Sequence, residues 1–176
     1  MPGAAASAVG MAARSIGGGM TSPTGTMVLG GVGSGDGGKV TVNANASISA
    51  SGIGATTVYA QGSGDPIIDV AAGVGIVGGP GGTAITRDGP ENSITNYCSL
   101  FTAAGATDRA IATTTGFAVV TNGGAIRGDL SLAAGQDNLL HNLSTGILSA
   151  GHSPPPACCR PPTILRLAAA TSGARR

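Results

Sequence analysis

Residues 119–151 read VVTNGGAIRGDLSLAAGQDNLLHNLSTGILSAG. Short aliphatic runs (Val119-Val120, Ile126, Leu130-Ser131-Leu132, Leu139-Leu140, Ile147-Leu148) alternate with Asn122-Gly123-Gly124, Gly128-Asp129, Gly135-Gln136-Asp137-Asn138 and Thr145-Gly146. Runs this short, closed by Gly, Asn and Asp, are strands between turns, because a helix needs longer uninterrupted periodicity. No single run can bury its own apolar face, so the runs must stack and share one interior.

The same texture extends upstream to residue 39, through KVTVNANASIS, TTVYAQ, PIIDVAAG, TAITRDG, NSITN and FAVVTN. It also repeats. Ala84-Ile85 recurs as Ala110-Ile111 and Thr95-Asn96 as Thr121-Asn122, both in one register. The tripeptide Ala-Ala-Gly begins at 71, 103 and 133, and Leu100 matches Leu130 in that second register. Asp69, Asp88, Asp108 and Asp129 follow one another at close to the length of one coil in a solenoid of about 20-residue repeats. These spacings predict parallel strands from successive coils, about 4.8 Å apart, with Ile, Val and Leu stacked inward and Thr and Ser facing out.

Composition agrees. Among 176 residues there are 32 Gly, two Tyr, two Phe and no Trp, so the large rings that fill a two-layer globular core are missing. Mean hydropathy is nevertheless +0.28, too apolar for a solvated disordered chain. A narrow interior of Ala, Val, Ile and Leu suits stacked β-coils. Net charge is +1, which gives no electrostatic footprint for nucleic acid or an anionic membrane. Cys98, Cys158 and Cys159 make neither a disulfide framework nor metal-ligand spacing, and no cofactor or metal is expected.

The expected organisation is a low-complexity Gly/Ala/Ser segment over 1–38, a β-helical region over 39–151 and a Pro- and Arg-rich tail over 152–176, with both flanks flexible. The start, MPGAAASAVGMAARSIGGGM, lacks the basic region and unbroken apolar stretch of a secretory signal. GVGSGDGGK at 31–39 imitates a phosphate loop but lacks the Ser or Thr after Lys39, so it reads as linker. Neither flank has the character of a solenoid cap, and the tail reads like translation in a shifted frame. A fragment of a longer protein is the expectation.

The pattern through Asn122, Gly124, Ile126, Gly128, Leu130, Leu132, Gly135, Asp137, Asn138, Asn142, Gly146 and Gly151 resembles the repeats of bacterial autotransporter passengers. A looser copy runs through Ala84, Ile85, Asn92, Ile94, Asn96 and Leu100, with Cys98 where that family places Gly. The resemblance covers 79–151. It implies an all-β, right-handed parallel β-helix, exposed at the cell surface or outer membrane or secreted. Its implied role is structural or adhesive, toward ligands on host or neighbouring cells. Attachment to a membrane would come only through a β-barrel translocator that does not follow Gly151. Oligomeric state is not legible in the sequence.

No catalytic residues are expected. Asn96, Asn122 and Asn142 are read as turn and ladder residues, with Gly124, Gly128, Gly135 and Asp137 as turn residues. The alternative enzymatic reading is a β-helix polysaccharide hydrolase or lyase that uses carboxylates stacked among Asp69, Asp88, Asp108 and Asp129. No Tyr, Trp or Arg cluster accompanies those aspartates in the sequence to grip a sugar. His141 lacks a sequence partner for Cys98, so a Cys-His nucleophile pair is not expected. A third reading is a truncated product that does not fold at all.

Overall fold

The computed structural model describes residues 8–15 and 38–149. The tail over 152–176, with Cys158, Cys159 and His152, lies outside the described residues, as do Gly151 and most of the 1–38 segment. Within these bounds the chain is a parallel β-solenoid built of three-stranded rungs. The first rung is β1 (Val9–Ser15), β2 (Thr41–Ala44) and β3 (Ile48–Ser49), and the second is β4 (Thr56–Gly62), β5 (Ile67–Val70) and β6 (Gly75–Gly78). The third holds β7 (Thr83–Asp88), β8 (Glu91–Asn96) and β9 (Ser99–Thr102), and the fourth β10 (Arg109–Thr113), β11 (Phe117–Asn122) and β12 (Ala125–Arg127). The last rung is β13 (Asp129–Ser131), β14 (Leu139–Asn142) and β15 (Ile147–Ser149).

Strands one rung apart pair in parallel, giving three five-stranded sheets in the orders β1-β4-β7-β10-β13, β2-β5-β8-β11-β14 and β3-β6-β9-β12-β15. The 1–38 segment therefore contributes a strand: β1 lies in register on β4, Met11 beside Val58 and Ala13 beside Ala60. Its sequence, VGMAARS, has few β-branched residues, and pairing along β4 supplies what intrinsic propensity does not.

Side chains of one column fill the interior from rung to rung. In the first sheet Val58, Ile85, Ile111 and Leu130 are register partners. The second sheet contributes Val42, Ile68, Ile94, Val120 and Leu140. The third contributes Ile48, Ile76, Leu100, Ile126 and Leu148. Most of these are wholly buried, each stabilising by about 1.5–3 kcal/mol relative to exposure.

The recurrence of Ala84-Ile85 and Thr95-Asn96 is coil register, since Ile85 pairs with Ile111, Thr95 with Thr121 and Asn96 with Asn122. Two other spacings are not. Leu100 lies in the third sheet against Ile76 and Ile126, while Leu130 lies in the first against Ile111, so they never stack. The Ala-Ala-Gly copies mark a recurring turn at three different corners: Gly73, Gly105 and Gly135 have φ of 78°, 73° and 74°. The four-aspartate spacing matches a coil only from Asp108 to Asp129. Equivalent residues are 27 apart between Gln61 and Asp88, 26 between Asn96 and Asn122, and 20 between Asn122 and Asn142. The coils shorten through shorter strands and a redistribution of their corners. A loop with a 3-10 turn at Gly105–Thr107 leads from β9 to β10, whereas Gly128 alone separates β12 from β13.

Candidate functional site

The most organised polar feature is an asparagine ladder at the end of the second sheet. β8, β11 and β14 each end on an inward asparagine, and the three are register partners. Asn96 Nδ2 donates to Asn122 Oδ1 and Asn122 Nδ2 to Asn142 Oδ1, both at 2.8 Å. Asn96 and Asn142 also close their own corners, whereas Asn122 makes a second bond to the next rung. Asn96 Oδ1 accepts from Cys98 N and its Nδ2 donates to Cys98 O, while Asn122 Nδ2 reaches Ile147 O and Asn142 Nδ2 reaches Gly146 O. Asn96 and Asn122 have no exposed surface. The amide chain, wholly buried at Asn96 and Asn122, fixes the register of three rungs. Above Asn96 the column continues as Val70 and Ala44, so the ladder ends where the side chains become aliphatic.

The predicted turn residues divide. Gly128 has φ 129° and an added Cβ would lie 2.5 Å from Asp108 O, so both backbone and space require glycine. At Gly124 the requirement is close approach alone, 2.1 Å from Cys98 O. Gly135 needs its φ of 74° but faces open space. Asp137 is exposed, and the turn is fastened by its neighbour: Asn138 Oδ1 accepts from Ala118 N and Nδ2 donates to Ala133 O. Cys98 is buried at a corner that closes without glycine; burial raises its thiol pKa.

The four aspartates do not form one column. Asp69 is exposed on β5, opposite Asn43 and Thr95, and Asp88 ends β7 opposite Gln61. Asp108 caps a corner, its Oδ2 accepting from Gly81 N and Thr102 Oγ1. Asp129 pairs with Arg109. Asp108 and Asp129 lie on adjacent rungs, Asp129 N donating to Asp108 O at 2.8 Å, while Asp69 and Asp88 lie in other columns. His141 is exposed on β14 while Cys98 is buried, and they form no pair. No cluster of three or more His, Cys, Asp or Glu occurs among the described residues.

Two polar features were missed by sequence reasoning. The first is a chain of side chains crossing four rungs: Arg14 Nε donates to Gln61 Oε1, Gln61 Nε2 to Asp88 Oδ2, and Thr115 Oγ1 to Asp88 Oδ1. It draws Arg14 and Asp88 beside Tyr59, whose pKa is raised by burial first and then by Asp88. The 27-residue step shared by Gln61, Asp88 and Thr115 was the available signal.

The second is Arg87. It stands in an interior column between Ala60 and Thr113, with no exposed surface. Nη1 donates to Ser93 O, but Nε and Nη2 have no protein acceptor. Alternation from Ile85 points it inward, a signal outweighed by the expectation that arginine stays outside.

Neither a family model, nor a curated protein, nor a solved structure matches this chain. What the geometry defines is a class: a parallel β-solenoid whose asparagine ladder is committed to holding its own coils.

Proposed function

We propose that this chain is a structural or adhesive segment of an exported, autotransporter-like passenger, displayed at the cell surface or secreted. The observation that carries the reading is the interior: aliphatic and asparagine columns running through successive rungs make a stiff rod whose polar side chains serve rung-to-rung cohesion. The passenger-like pattern of residues 119–151 supplies two of the columns, Asn122–Asn142 and Ile126–Leu148. Ligands on host or neighbouring cells would meet the outward rows and the corners of varying length.

Bacteria displaying the full chain through a supplied export signal and β-barrel translocator are expected to attach to cell layers, or to one another, above the level of the empty translocator. Displayed, protease-resistant protein that adds no attachment would refute the adhesive role and leave the rod.

A further inference from the structure

We propose that the Asn122–Gly123 peptide is a latent non-enzymatic modification site, silenced by the asparagine ladder and released by unfolding, whose reaction bars the chain from refolding.

Of the seven asparagines, Asn122 alone precedes glycine. Glycine has no side chain to hinder its backbone nitrogen, which in an open chain attacks the preceding amide carbon. A bond forms between Gly123 N and Asn122 Cγ. The Cγ–Nδ2 bond breaks, and nitrogen leaves as ammonia, taking the proton of the Gly123 amide. Water then opens the cyclic imide to aspartate or to isoaspartate.

Every group in that step is held in the fold. Gly123 N–H donates to Asn96 O at 2.8 Å. Asn122 Oδ1 accepts from Asn96 Nδ2, while Nδ2 donates to Asn142 Oδ1 and Ile147 O. With no exposed surface at Asn122, the side chain cannot turn toward its own backbone without breaking the ladder, and water does not reach it.

The products do not fit. Aspartate places an oxygen where Nδ2 stood, facing the oxygens of Asn142 and Ile147, so two donated hydrogen bonds become contacts between acceptors around a buried charge. Isoaspartate lengthens the backbone between β11 and β12 and displaces Ile126 from Leu100 and Leu148.

The test follows the full chain at mildly alkaline pH, in buffer and in concentrated urea, with conversion at residue 122 read by peptide mass mapping. Conversion in buffer is expected to be at least about tenfold slower, since it must await opening of the rungs. Equal rates overturn the proposal. Asn142→Ala, which cuts the ladder on one side of Asn122, is expected to speed conversion in buffer; an unchanged rate denies the ladder its part. Reacted chains returned to buffer are expected to stay protease-sensitive, while chains held in urea too briefly to convert residue 122 regain resistance. Full recovery by reacted chains overturns the second half of the proposal.

Discussion

Replacing Arg87 by methionine is expected to stabilise the solenoid. The guanidinium is fully buried, makes one hydrogen bond through Nη1 and leaves Nε and Nη2 without protein acceptors. Asp69, the carboxylate that acts on it, is exposed on the neighbouring rung and makes no hydrogen bond to it. Apolar side chains of similar volume commonly match or exceed buried charges by about 1–4 kcal/mol, and loss of the Ser93 contact returns part of that. A net gain of about 1–3 kcal/mol follows, or roughly 3–6 °C in thermal midpoint per kcal/mol for a folded unit of this size. Arg87→Ala removes the charge but leaves a void between Ala60 and Thr113, and should fall about 2–4 kcal/mol below the methionine variant. The charge has a second signature. Burial depresses the Arg87 pKa to about 10, with Asp69 opposing in part. Below that pH the cost is fully present; above it the unfolded chain binds more protons than the folded one, so stability rises with pH. The deficit of wild type against Arg87→Met should therefore narrow on going from about pH 9 to 11. Melting followed by circular dichroism reads both effects. A methionine variant less stable than wild type at every pH would show that the guanidinium is net favourable, and would refute the reasoning.

Asn122→Ala removes an amide that serves two neighbours and should lower stability by about 2–4 kcal/mol, more than Asn142→Ala at the half-buried end of the ladder, by urea titration. Gly128→Ala, which combines φ 129° with contact on Asp108 O, should cost at least about 2 kcal/mol, whereas Gly135→Ala at φ 74° in open space should cost about 1 kcal/mol; equal losses would deny the close approach any weight. Asp88→Ala removes the acceptor of both Gln61 and Thr115 and is expected to cost about 1–2 kcal/mol, with proteolysis first detected near β1. Intact β1 in that variant would mean that backbone pairing to β4 suffices.

The solenoid was legible because stacking writes the same residue types at equal intervals, and the Asn96–Asn122 and Ile85–Ile111 pairs preserve that interval intact. What misled was chemistry shared by unlike places. Aspartate suits any corner, so Asp69, Asp88, Asp108 and Asp129 gave an even spacing although only Asp108 and Asp129 meet at one corner. Ala-Ala-Gly suits any left-handed turn, and so returned at three corners rather than at one. The Arg14–Gln61–Asp88 chain was hidden by a different cause. Its first member belongs to a segment whose composition does not favour a strand, and β1 forms only because a neighbouring edge is there to pair with. Asn138, not Asp137, fastens the turn after Gly135. Adjacent polar residues differ there only in which side of the backbone they occupy.

The shortening of the coils bears on where a ligand-binding surface can arise. The step from Asn96 to Asn122 is 26 residues and that from Asn122 to Asn142 is 20, yet the amide contacts are 2.8 Å in both. Six residues are thus removed from the circumference with no change at the ladder. The corners are redistributed, the loop 103–108 giving way to Gly128 while 114–116 lengthens to 132–138, and the strands of the shorter coil are themselves shorter. Interior columns tolerate no such freedom, because a one-residue slip would carry an aliphatic side chain outward and a polar one inward. Variation without loss of the rod is therefore confined to corner loops and outward rows. A binding specificity could be gained or exchanged there while the interior stays the same, and the corner at 103–108, held by Asp108 to Gly81 of the preceding rung, is already built that way.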